Sequence, residues 1–171
     1  MIAVEDNENK YDVAFDDFED FEDFEDEISD SLEKVDQSRI KACPEINQSL
    51  VGSIEDIKEG YAKTLFSAGE EMRVDRRDMV HTGFVFAAAD YCCMLAVNDA
   101  LAVLAGSKVN FLAPMKVGEE AIFEAFTSSN QSRKRNVKVI GYLHDIKFFE
   151  GEFAVVVLNN HVMSLKLMGV E

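Results

Sequence analysis

Residues 81–98 constrain the fold more than any other stretch of the chain. Between His81 and Asn98 the residues are apolar nearly all round, with Phe84, Val85, Phe86, Leu95 and Val97 set among small alanines, and a single carboxylate, Asp90, lies in the middle. An apolar stripe marks a helix on a surface, whereas apolar residues on every face mark a helix enclosed by the rest of the fold. A buried ionised carboxylate is costly unless it is paired or used, so Asp90 is either hydrogen-bonded at an interface or the working group of a site.

Around this helix the pattern alternates as strands do. Residues 49–57 and 61–72 read as two strands about Glu59-Gly60, followed by a densely charged loop over 73–79. After the helix come residues 101–112, interrupted at Gly106 as by a bulge, then a turn through Pro114 and 116–119. Residues 121–127, a polar hairpin over 130–135, residues 137–144 and residues 148–163 with a turn at Glu150-Gly151 complete the series. One long helix and five or six successive strands predict an α+β layer, an antiparallel sheet packed on a single helix.

The 171 residues divide unevenly in charge. Residues 1–39 hold 16 of the 33 Asp and Glu against three Lys and Arg. The net charge of −16 is thus mostly a property of the N-terminal part, and the near-neutral remainder lacks the basic surface a duplex-binding protein needs. The expected division is an acidic arm over 1–42 and a folded domain over 43–171. The arm carries a tandem repeat, Phe18-Glu19-Asp20, Phe21-Glu22-Asp23 and Phe24-Glu25-Asp26, with Phe15 in the same register. It reads either as a solubilising tail or as a segment that docks its phenylalanines on its own domain or on a protein partner. Cys43, Cys92 and Cys93 have no metal-binding spacing, and an adjacent pair on a helix points in two directions, so they read as small core or interface residues. With no basic-then-apolar leader and no apolar run of membrane-spanning length, a cytoplasmic protein without a membrane span is expected.

His81-x-Gly83-x-x-Phe86-x-x-Ala89-Asp90, then Ala96-x-Asn98, Val109-x-Phe111-Leu112-x-Pro114 and Gly118-Glu119, resembles the phenylacetyl-CoA thioesterase-like (PaaI-like) branch of the hotdog-fold thioesterases. The likeness covers roughly residues 50–163. The same stretch is similar to the acyl-CoA-sensing hotdog domain of a fatty-acid-synthesis repressor, notably at Phe86, 116–119 and 148–153; those sensors lack the catalytic acid, which Asp90 supplies here. The resemblance implies a helix wrapped by a curved antiparallel sheet, a homodimer or homotetramer, and hydrolysis of acyl-CoA between subunits, with coenzyme A entering only as part of the substrate and with no metal. The chain departs from the enzyme pattern at Thr82, where a glycine is usual, and at Asp75, often an asparagine that helps to place substrate or water.

Thioester hydrolysis needs a polarised carbonyl and a positioned water or carboxylate, and little help for a leaving thiol. The amide of Gly83, at a helix start where free N–H groups converge, is the candidate oxyanion hole, with His81 as an orienting neighbour. Asp90 is the candidate general base or nucleophile. Seven helical residues put the two roughly 10 Å apart, too far for one carbonyl, so the partner group must come from a second chain in an antiparallel pair. Phe84, Phe86 and Phe111 are candidates to line the acyl group. Arg133, Lys134 and Arg135 form either a solvated turn or a clamp for the phosphates of coenzyme A. The alternative function is a non-catalytic acyl-CoA or lipid-ligand binding protein.

Overall fold

The computed structural model describes residues 36–127 and 132–164. The acidic arm up to residue 35 and the tip of the β4–β5 hairpin, 128–131, lie outside the described residues. Six strands, β1 (Ser53–Lys58), β2 (Tyr61–Ser67), β3 (Ala102–Phe111), β4 (Glu120–Thr127), β5 (Lys134–Leu143) and β6 (Ile146–Val157), form one antiparallel sheet in the order β1-β2-β4-β5-β6-β3. A four-residue helix, α1 (Gln48–Val51), precedes the sheet, and the long helix α2 (Thr82–Val97) lies against it. This is the α+β architecture expected from the sequence.

Why α2 sits there follows from its composition. Val85, Ala88, Ala89, Tyr91, Cys92, Cys93, Leu95 and Ala96 are all buried, which a helix reaches only when a curved sheet covers it on several sides. The sheet answers with an inward row of rings and branched chains: Phe66, Phe123, Val137, Val139, Phe149, Phe153 and Val155 are fully buried. Phe123 packs edge-on against Phe148 and Phe149, each at 5.7 Å. The Cys92 thiol points at the carbonyls of Ala62 and Phe123, 3.4 Å from each, so even the polar atom on this side has partners.

Several expected boundaries shift. Residues 49–51, expected to begin a strand, fall in α1 because the Asn47 side chain accepts the Ser49 N–H at 3.1 Å and starts a helical turn. The second strand ends at Ser67, and Glu70–Met72 is a 3-10 turn. Gly106 does mark a bulge, where the β3–β6 register slips between Leu104 and Gly106. Glu150-Gly151 is not a turn. Strand β6 runs straight through it, and Gly151 lacks a side chain because a Cβ there would stand 2.7 Å from the Phe153 ring and 2.8 Å from Val109. The turn falls at His144-Asp145, both at positive φ (49° and 63°), so His144 is a hairpin residue and not the sheet residue expected. No helix among the described residues is long and apolar enough to cross a membrane.

Candidate functional site

The site begins at the start of α2. The backbone before the helix folds back on itself: Arg73 and Val80 form a bridge, the His81 N–H reaches the Met72 carbonyl at 2.9 Å, and the Val80 N–H reaches the Met115 carbonyl at 2.9 Å. This fixes His81 as the helix N-cap, with its Nδ1 accepting the Gly83 N–H at 2.9 Å. The glycine is what permits it, since a Cβ at 83 would lie 2.8 Å from that nitrogen. The amide assigned to the oxyanion hole therefore has an internal partner. His81, Thr82 and Gly83 are all exposed in the single chain.

Further along, α2 keeps one stripe half open: Phe84, Ala87, Asp90 and Val97 are intermediate in burial where their neighbours are enclosed, while Phe86, equally half-buried, reaches the sheet at Phe153. Asp90 sits in the middle of that stripe. Its Oδ1 is buried and has no hydrogen-bond partner within the described chain. Burial pushes its carboxyl up to about 6. Two thiols share its surroundings: Cys43 and Cys93 are both raised, chiefly by burial and next by the charge of Asp90. Cys43 comes from the segment that crosses α2 ahead of α1, a neighbour the sequence did not announce.

Asn98 explains how that segment is held. At the helix C-cap it adopts the left-handed conformation (φ 47°, ψ 50°), its side-chain oxygen accepts the N–H of Lys41 at 2.8 Å and of Ala42 at 3.3 Å, and its amide donates to the Arg39 carbonyl at 2.9 Å. A helix cap and a strap for residues 39–42 are thus one residue. Asp75 likewise serves the backbone around it. Its Oδ1 accepts the N–H of Arg77 at 2.8 Å and of Met79 at 3.2 Å, closing the loop before the helix.

Phe86 stacks on Phe153 at 5.8 Å, and Phe111, at the end of the edge strand β3, meets Phe149 edge-on at 5.4 Å while remaining 43% exposed. Phe111 lies at the end where α2 starts, because the Leu112 N–H pairs with Phe148 and the Val80 N–H with Met115. Arg133, Lys134 and Arg135 lie at the other end. The Val157 N–H donates to the Arg133 carbonyl at 2.8 Å and the Leu158 N–H to the Leu101 carbonyl at 3.0 Å, which places the basic cluster beside the segment leaving α2. A 16-residue helix spans about 24 Å. One chain therefore brings His81, Gly83, Phe84 and Phe111 together and keeps the basic cluster roughly a helix length away. Clefts of about 490 and 390 Å³ occupy the opposite, outer face of the sheet, near Ile122 and His144. Among the described residues no group of three His, Cys, Asp or Glu could hold a metal ion.

A single helix wrapped by a six-stranded antiparallel sheet defines a hotdog-fold protein. At the level of fold the structure matches Escherichia coli PaaI (TM-score 0.57, 18% identity, 64% of this chain and 85% of PaaI) and a hypothetical thioesterase with coenzyme A from Streptococcus pneumoniae (TM-score 0.57, 15% identity, 64% and 87%). The chain belongs to the hotdog family that includes Cj0977, a sigma28-regulated virulence protein of Campylobacter jejuni (38% identity, TM-score 0.73, 74% of this chain and 90% of that one), and PH1136 of Pyrococcus horikoshii (37%, 0.71, 75% and 97%). No family model matches the chain. Among curated relatives, it is 47% identical over 113 residues to a methylthioribose-1-phosphate isomerase of Aquifex aeolicus, where those residues are 66% of this chain and 25% of the isomerase. It is 27% identical over 129 residues to the transcription factor FapR of Shouchella clausii, 75% of this chain and 66% of FapR. The chain thus spans about a quarter of the isomerase's length and just under two thirds of FapR's.

Proposed function

We propose that this protein is an acyl-CoA thioesterase that works as a homodimer with two composite sites. The observation that carries the reading is the Asp90 carboxyl: buried at Oδ1, with no hydrogen-bond partner for that oxygen among the described residues, raised to about 6, and set in the half-open stripe of an otherwise enclosed helix. A general base for neutral-pH chemistry needs such a tuned acid. In the proposed step Asp90 of one chain takes a proton from water as it adds to the thioester carbonyl, or adds directly. The Gly83 amide of the partner chain holds the developing oxyanion. With water as the nucleophile, collapse breaks the C–S bond and the proton held by Asp90 passes to the departing sulfur, giving the carboxylic acid and the coenzyme A thiol. With direct addition, collapse gives an acyl-Asp90 anhydride and the thiolate; a water molecule then hydrolyses the anhydride to the acid, restores the carboxylate and supplies the thiol's proton.

Two features support the shared site. Strand β3 closes the sheet as an edge ten residues long, so its outer backbone groups suit pairing with a second copy. Antiparallel pairing of two α2 helices sets the start of one beside the middle of the other, and also sets the basic cluster of one chain near the Gly83 end of its partner. There Arg133 and Lys134 would meet coenzyme A phosphates while Phe84, Phe86 and Phe111 flank the acyl group. The thioesterase neighbour with coenzyme A has the same fold, which favours that ligand class.

A second reading, an acyl-CoA or lipid-ligand binding protein without turnover, draws on the His81 contact. If the imidazole stays on the Gly83 amide, the oxyanion has no donor there and the protein only binds. The test is thiol release from a panel of acyl-CoAs by the full chain, with sedimentation of the same sample. Hydrolysis by a dimer or an even multiple is expected. Binding without release of thiol from any member of the panel would favour the second reading, and hydrolysis by a stable monomer would overturn the shared site.

A further inference from the structure

The acidic arm enters the domain at a particular place. Asn98 fastens residues 39–42 to the C-terminal end of α2, so the chain emerges from that end at Asp36. The same end gathers cations from two other parts of the sequence. The Thr127 N–H donates to the Gly60 carbonyl at 2.9 Å, which sets the end of β4 beside the β1–β2 turn, and the contacts of Arg133 with Val157 bring in the start of β5. Arg39, Lys41, Lys58, Arg133 and Lys134 are all exposed here. Carboxylates share this end with them: Asp36 accepts from Ser38 and lies 3.9 Å from Arg39, Asp56 pairs with Lys58 at 3.1 Å, Asp99 accepts the Leu101 N–H at 2.8 Å, and Glu59 lies at the β1–β2 turn.

Between the β1–β2 turn and the helix end lies a cleft of about 300 Å³, with Ile57, Ala96 and Val97 as its apolar part and Arg39, Lys58, Glu59, Gly60 and Asn98 around it. An apolar slot edged by Arg39 and Lys58 against the single carboxylate of Glu59, with Lys41, Arg133 and Lys134 at the same end, fits a side chain that is aromatic with carboxylates on both sides. The chain supplies such a segment three times, at Phe18, Phe21 and Phe24, each between an Asp and a Glu, with Phe15 before Asp16 in the same register. From Phe24 to Asp36 is 12 residues, a length that a random coil spans in about 20 Å r.m.s.. A tether of that length gives an effective concentration in the millimolar range, so a weak contact suffices.

We infer that residues 15–27 dock on their own domain at this end, one phenylalanine in the cleft between Ile57 and Val97 and the flanking carboxylates against Lys41, Lys58, Arg133 and Lys134. The contact is electrostatically held and reversible. It covers the basic cluster that the dimeric site would use, but it does not depend on that use.

The chain contains no tryptophan, so one introduced in the repeat is a sole reporter. F18W, F21W and F24W are made singly in the full chain. In 0.1 M salt, where charges act over about 10 Å, at least one indole should emit to the blue and resist a soluble quencher, with a quenching constant at least about threefold smaller than in 1 M salt, where the range is about 3 Å. Adding K58E and R133E should abolish the protection in low salt while the far-UV circular dichroism stays unchanged. An exposed-type emission for all three reporters, protection indifferent to both charge reversals, or a blue shift lost on hundredfold dilution would overturn the inference, the last by placing the arm on a neighbouring molecule.

Discussion

The two sides of α2 are built to different standards. Towards the sheet, the side chains from Val85 to Ala96 are enclosed apart from half-buried Phe86, and the polar atom of Cys92 faces two carbonyls; away from it, Phe84, Ala87, Asp90 and Val97 stay half open and a buried carboxylate oxygen has no partner among the described residues. One side carries stability. The other carries an uncompensated electrostatic cost that a second chain, a substrate or a proton can relieve.

The largest effect of breaking the first side should come from Phe123→Ala. Phe123 is fully buried among Phe66, Phe148 and Phe149, and its loss leaves a cavity that rings cannot fill. A loss of about 3–5 kcal/mol in denaturant unfolding is expected. A loss below about 1 kcal/mol would mean that the two sides are not different in kind.

The second side responds in the opposite sense. The Asp90 carboxyl is raised from 3.8 unfolded to about 6 folded, so the folded state binds the proton more tightly. Below about pH 4 both states are protonated and there is no cost; as pH rises to 6 the cost grows, and above 6 it is fully present, about 3 kcal/mol at most. Asp90→Asn should therefore stabilise the fold at pH 7 and make no difference at pH 3.5, as read by chemical unfolding at both pH values. Equal effects at the two pH values would show that the carboxylate is paired.

Asn98→Ala removes the side chain that joins the helix cap to the strap at 39–42 and should cost about 1–2 kcal/mol. Hydrogen exchange should rise at the amides of Lys41 and Ala42 while the β4–β5 core keeps its protection. If exchange rose everywhere equally, the strap would belong to the core and not to the open side.

The sheet-facing side is largely legible in the sequence, because total apolarity over 81–98 has only one structural solution and Gly106 breaks a strand in only a few ways. Turns are harder to read. Glu150-Gly151 looks like a turn from composition alone, yet its glycine makes room for Val109 of the neighbouring strand and for the rings of Phe149 and Phe153 two residues to either side on the same face. The Asn47 cap is present in the sequence as a signal, but the alternation after it outweighs it. For the open side, Asp90 and Gly83 stand out as charge and glycine in a buried helix. The His81 contact to the Gly83 amide, the use of Asp75 within its own loop, and Cys43 beside Asp90 depend on side-chain direction, which spacing does not encode.

The most direct test is thioester turnover by Asp90→Asn beside the unaltered protein, as a function of pH. The substitution keeps size and removes the base, so turnover should fall by at least about a hundredfold with acyl-CoA affinity and assembly nearly unchanged. In the unaltered protein, the rate should rise with pH through about 6 as the carboxyl ionises. Turnover by Asp90→Asn equal to that of the unaltered protein would contradict the account and leave Asp90 as a structural carboxylate of the interface.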